Sequence, residues 1–150
     1  MATLVVGYGN TLRGDDGVGY LLAEQVAAWG LPNVKTIACH QLTPELAANI
    51  AECDRVIFID ATLPGTQTEV AWRSLSPSDA PTLDAHRSDP AGLLRLTVQL
   101  YGNSPSVQQL LLPTAEMEFA ETLSAIAQAG LVAAASQLQA FLTTPIPPSG

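Results

Sequence analysis

Basic residues are scarce in this chain, with six Lys and Arg against fourteen Asp and Glu, a net charge of −8. A surface of that sign repels phosphate backbones and anionic headgroups, so neither nucleic acid nor a membrane is expected as a partner. Only two cysteines occur, Cys39 and Cys53, in no C-x-x-C arrangement, which leaves no disulfide framework and reads as two reduced, buried thiols. No apolar stretch reaches the roughly eighteen residues of a bilayer span, and Met1-Ala2-Thr3 sets no basic segment ahead of its short apolar run. A cytoplasmic protein is expected. Charged residues make up only 13% of the 150 and hydrophobic ones 47%, which excludes disorder for most of the length. One domain is expected over residues 1–142, followed by a Pro-rich tail, 143–150, in which Pro145, Pro147 and Pro148 suit a loose extended chain.

What the chain does have is concentrated near its start. Val5-Val6-Gly7-Tyr8-Gly9-Asn10-Thr11-Leu12-Arg13-Gly14-Asp15-Asp16-Gly17-Val18-Gly19 reads as an apolar strand breaking into a glycine-punctuated loop that carries two acids to a helix start. The glycines invite a nucleotide reading, but the third glycine of a dinucleotide fingerprint would fall on Leu12, and a phosphate loop would end in Gly-Lys-Ser/Thr rather than Asp15-Asp16-Gly17. Carboxylates stand where a polyanion would lie, so no nucleotide is expected. One of the two aspartates can serve as a helix N-cap, leaving the other for a metal or a proton.

Further along, Val18, Leu21, Leu22 and Val26 recur at helical spacing, Gly30 and Pro32 stop that helix, and Lys35 to Cys39 reads as a strand. Thr43-Pro44-Glu45 opens a short helix that runs to about Cys53. The unbroken Val56-Ile57-Phe58-Ile59 run, closed by Asp60, has the character of a central parallel strand covered on both faces. Thr68 to Leu75 alternates, with Val70 and Trp72 on one side, as an edge strand does. Asp89-Pro90 caps a helix with Leu93, Leu94, Leu96, Thr97 and Leu100 turned inward until Tyr101-Gly102. Val107 to Leu112 is the last strand, and Leu123 to Phe141 mark a long helix in which Gly130 permits either close packing or a kink. Strands alternating with helices predict a three-layer α/β/α sandwich on a mainly parallel sheet of about five strands.

In such sheets, sites gather beyond the carboxyl ends of the strands. Asp16 follows the first strand, Asp60 ends the third, and His86 lies in the loop after the alternating one. Two carboxylates and an imidazole form a mixed oxygen and nitrogen set suited to a divalent transition metal with open positions. Taken singly, Asp60 is also a plausible turn former and His86 an ordinary surface histidine. No Gly-x-Ser-x-Gly elbow and no H-E-x-x-H helix is present, and Cys39 and His40, as neighbours on a strand, point to opposite faces.

The run from Gly7 to Gly19, the segment Ile57-Phe58-Ile59-Asp60-Ala61, and His86 ahead of the leucine-rich helix together resemble the hydrogenase maturation peptidase family over nearly the whole chain. The resemblance implies an endopeptidase that trims the C-terminal extension from the large-subunit precursor of a NiFe hydrogenase once nickel is installed. It implies a phosphorylase/hydrolase-like α/β/α sheet with one antiparallel strand, and it places the metal-contacting, catalytic acid, acid and histidine on Asp16, Asp60 and His86. The nickel is then supplied by the precursor and acts as the recognition mark. Many members carry an Asp-Gly-Gly-Thr-like segment where this chain has Cys39-His40-Gln41-Leu42-Thr43, which is similar to the branch serving bidirectional NAD(P)-linked hydrogenases. His40 and Gln41 thereby become candidates for substrate contact, with a loop-stabilising role as the alternative for Gln41. The rival function is a non-catalytic chaperone that uses the same three residues only to hold nickel or the precursor.

Overall fold

In the computed structural model, which describes residues 2–79, 89–118 and 122–143, the strand-forming runs become β1 (Thr3–Tyr8), β2 (Val34–Cys39), β3 (Arg55–Ala61), β4 (Ala71–Leu75) and β5 (Ser106–Leu112). Between and after them lie α1 (Val18–Ala28), α2 (Leu46–Ala51), α3 (Pro90–Tyr101) and α4 (Ala125–Thr143). The sheet has the order β2-β1-β3-β5-β4, parallel throughout except for β4, which runs antiparallel at the edge. The expected sandwich is present. β3 takes the centre because side chains on both its faces are apolar and buried.

Period-two alternation divides the core into two halves. Leu4, Val6, Val56, Phe58 and Val107 face α2 and α3. Val5, Ile57, Ile59, Leu110 and Leu112 face α1 and α4. The chain leaves β1 toward β2 on one side and then returns to place β3 on the other, so the strand order reverses between β1 and β3. That reversal opens a crevice at their carboxyl ends, the place where ligands enter folds of this kind.

α1 seats directly on this crevice because glycine lets the backbones meet. A Cβ built on Gly7 would collide with the carbonyl oxygen of Gly19 and lie 2.6 Å from the Cβ of Ala23, and one on Gly19 would lie 2.6 Å from the carbonyl of Ile59. Gly7→Ala is therefore expected to lift α1 off the sheet at a cost of about 3 kcal/mol, read as a lower midpoint in urea unfolding. A wild-type midpoint would show that the helix has room to shift.

Several expectations are revised in detail. β4 begins at Ala71 rather than Thr68, and ahead of it the Gln67 carboxamide donates to the carbonyls of Glu69 (2.7 Å) and Leu111 (3.2 Å), the latter on the residue that pairs with Ala71. Leu100 is exposed rather than buried. Tyr101 is exposed with it although it continues the stripe of Leu93, Leu94 and Thr97, so α3 outruns the core it covers. Thr43 and Pro44 accept from Leu46 N (3.1 Å) and Ala47 N (3.1 Å) in a tight three-residue turn, which delays regular α2 to Leu46. Gly130 serves close packing, with its Cβ position 2.9 Å from Pro113 Cδ. Cys39 is half-buried and only Cys53 is fully buried.

α4 also departs from the expectation that no stretch is long and apolar enough to span a bilayer, since its 19 residues suffice by length and composition. Here it lies on the sheet, burying Ala127, Gly130, Ala134, Ala135 and Leu138. The expected tail begins within this helix, since Thr143 still donates through Oγ1 to the carbonyl of Gln139 at 2.8 Å; the rest of it, 144–150, is outside the described residues.

Candidate functional site

The glycine loop after β1 folds back on itself. Gly9 adopts a φ of +148° that side chains with a Cβ rarely reach, and the carbonyl of Asp16 fills the space where its Cβ would stand. Asn10 accepts from Leu12 N at 2.9 Å, Arg13 N donates to the Asn10 carbonyl at 3.0 Å, and Asp16 N donates to the Arg13 carbonyl at 3.2 Å. A 3-10 turn over Gly14–Gly17 then leads into α1. Neither acid caps a helix through its side chain, contrary to the expectation that one of them would.

The two aspartates instead point to different tasks. Asp15 is completely buried and accepts from Ala115 N (2.7 Å), Glu116 N (3.0 Å), Ser124 N (2.8 Å) and Ser124 Oγ (2.6 Å). Burial works to raise its pKa, but the Ser124 hydroxyl and the three backbone donors outweigh it and hold the carboxyl below its ordinary range. Asp15 thus ties the N-terminal loop to the start of α4. Asp16 is half-buried, and its Oδ2 accepts from Asn10 N at 2.9 Å.

Asp60, at the carboxyl end of β3, is the neighbour of Asp16. Its Oδ2 accepts from Gln109 Nε2 at 3.0 Å, and the Tyr8 hydroxyl hydrogen-bonds the same carboxylate. Burial pushes the Asp60 pKa up to about 6; the bonds from Tyr8 and Gln109 oppose that rise, and the charges of Asp16 and Asp89 add to it. The Tyr8 phenol is driven well above its usual range by burial and by the Asp60 charge. Among the described residues, none of the groups that bear on Asp60 is cationic. Asp89, whose charge acts on Asp60, caps α3, its Oδ1 accepting from Ala91 N at 3.3 Å.

Such an arrangement offers a cation two carboxylates, one from the loop after β1 and one from the end of β3. It also holds, in Asp60, an acid that exchanges a proton near neutral pH. His86, the third expected member, lies outside the described residues. Among the described residues no three His, Cys, Asp or Glu side chains converge as a metal site. His40 and Gln41 are both exposed just past β2, with the His40 ring edge-on to Tyr20 at 5.7 Å between centroids. They neighbour the loop, since Gly9 N donates to the Cys39 carbonyl at 3.1 Å.

Tyr8, Gln109 and Asp89 were not among the expected site residues. Tyr8 continues the face of Leu4 and Val6, and Gln109 the face of Val107, so each looks like a core position by alternation. The available signal was polarity on that face at the carboxyl end of a strand.

No protein-family model matches the sequence, and no curated protein matches it. Solved structures do. The NiFe hydrogenase maturation protease HybD from Thermococcus kodakarensis is 21% identical with a TM-score of 0.77, covering 95% of this chain and 100% of that one. The hydrogenase maturating endopeptidase HybD from E. coli is 21% identical with a TM-score of 0.78, covering 95% and 92%. The NiFe hydrogenase maturation protease HycI from Thermococcus kodakarensis is 19% identical with a TM-score of 0.73, covering 95% and 93%. At these identities the likeness establishes that this chain has the fold of the hydrogenase maturation proteases.

Proposed function

We propose that this protein is an endopeptidase that removes the C-terminal extension of a NiFe-hydrogenase large-subunit precursor after nickel insertion. The single observation that carries the reading is the meeting of Asp16 and Asp60 at the β1/β3 reversal, with no cationic neighbour among the described residues, in a fold shared with maturation proteases. Two carboxylates in electrostatic contact want a cation between them, and oxygen donors with an imidazole suit a divalent transition metal. In this reading Asp16, Asp60 and His86 complete the coordination of the precursor's nickel, and the metal is part of the substrate.

Holding that metal fixes the adjacent peptide over the strand ends, and positioning supplies much of the rate. A bound divalent ion polarises a carbonyl or acidifies a water, and Asp60 is placed to accept a proton there. His40 and Gln41 contact the precursor beyond the metal; their exposure beside the glycine loop supports this, as does the segment Cys39 to Thr43 for a partner of the bidirectional NAD(P)-linked type.

The test is the mass of a nickel-loaded large-subunit precursor incubated with this protein. Loss of a C-terminal peptide, absent when the precursor lacks nickel, is the expected result. An unchanged mass with retained binding would make the protein a nickel or precursor chaperone, and digestion of casein without nickel would make it a general protease.

A further inference from the structure

Gln109 is a polar residue in the wrong place for stability. It is only 7% exposed, on β5 beside the central strand, where Val107 before it on the same face and Phe58 across from it on β3 are core residues. A buried carboxamide is costly unless it is hydrogen-bonded, and an apolar side chain of similar size would fill the space without that cost. Its bond goes to Asp60 Oδ2, at 3.0 Å.

The register explains how it gets there. Val6 pairs with Phe58 and Phe58 with Gln109, while Asp60 lies two residues beyond Phe58 and Tyr8 two beyond Val6. Tyr8, Asp60 and Gln109 therefore stand on one face of three neighbouring strands, above the core under α2 and α3, with the N-cap Asp89 of α3 alongside. A carboxylate bonded at Oδ2 by Gln109 from the strand on one side and flanked by the Tyr8 phenol from the strand on the other is restrained from rotating, so its remaining lone pairs are aimed in a preferred direction. Ligating carboxylates and imidazoles are oriented in this way by outer hydrogen-bond partners whose loss weakens metal binding or activity about 10–100-fold.

We infer that Gln109 and Tyr8 are positioning residues that fix the Asp60 carboxylate in the orientation that receives the precursor's metal centre. The inference rests on the processing function proposed above. Neither residue touches substrate, so their loss acts on the reacting geometry and not on docking of the precursor.

Steady-state processing of the nickel-loaded precursor by wild type, Gln109→Met and Tyr8→Phe tests this, with urea unfolding measured in parallel. Both substitutions keep the shape of the side chain and remove its donor. Each is expected to lower kcat by about tenfold or more, with KM unchanged and the protein still fully folded under the assay conditions. Unaltered kcat in both variants, a loss that appears in KM, or one that follows a loss of folded protein would overturn the inference while leaving the processing reading intact. Wild-type protein that leaves the precursor uncut would overturn the processing reading, and this inference with it.

Discussion

Asp15→Ala is expected to cost about 4 kcal/mol of folding stability, the largest loss from any single polar side chain among the described residues. The carboxylate is fully buried and accepts four hydrogen bonds, three of them from backbone N–H groups of Ala115, Glu116 and Ser124. Alanine leaves those donors facing a small void, and each buried donor without an acceptor costs about 1–3 kcal/mol before partial relaxation. The loop around Glu116 and the start of α4 lose their common anchor, although the Ser124 hydroxyl can still serve Ala127 N. Asp15→Asn is also expected to destabilise, because its amide sets a donor against donors. Urea unfolding at pH 7 checks both, and a wild-type midpoint for Asp15→Ala would show that the loop and α4 are anchored elsewhere. The pH dependence has a definite sign. A carboxyl whose folded pKa is depressed contributes fully above its unfolded value of 3.8 and loses that contribution as pH falls through the lower folded value. The gap between wild type and either variant is thus expected to hold from pH 7 to about pH 4 and to narrow only in stronger acid.

The two adjacent aspartates also mark where reading along the chain stops. α3 was legible because its signals are local: Asp89 caps it, Pro90 opens it, and Gly102 closes it at a φ of +73°. β3 was legible because four consecutive apolar residues have only a doubly covered strand to occupy. The crevice followed from these, since Asp60 stands near the end of β3 and Asp16 in the loop that follows β1. Nothing local distinguishes Asp15 from Asp16, whose tasks differ because the donors to Asp15 come from a segment about a hundred residues away. Gln109 and Tyr8 needed the register of three strands, and Gln67 needed the exact acceptor it takes from β5. Local chemistry thus writes the element ends and the exits of the strands; what reaches across the sheet to hold a side chain is set by tertiary pairing.

Asp60→Asn should move stability and activity in opposite directions, which no purely structural carboxylate would do. Burial and the charges of Asp16 and Asp89 raise the Asp60 pKa from 3.8 to about 6, so the folded state binds its proton more tightly than the unfolded chain. Stability tied to this group is fully present below pH 4 and is lost as pH rises through about 6. A shift of about two units corresponds to roughly 3 kcal/mol, an upper figure for what Asp60→Asn recovers at pH 7.5. The gain should vanish near pH 4, where the wild-type carboxyl is itself neutral. In processing, the same substitution removes one of two negative charges offered to the precursor's metal. Losing several kcal/mol of transition-state stabilisation there corresponds to a fall on the order of a thousandfold in kcat/KM. Unfolding at pH 4 and 7.5, set beside the rate of precursor cleavage, checks both halves. A variant that gains stability and cleaves as fast as wild type would mean that Asp60 lies outside the reaction, and with it the crevice between β1 and β3 would lose its claim to the metal.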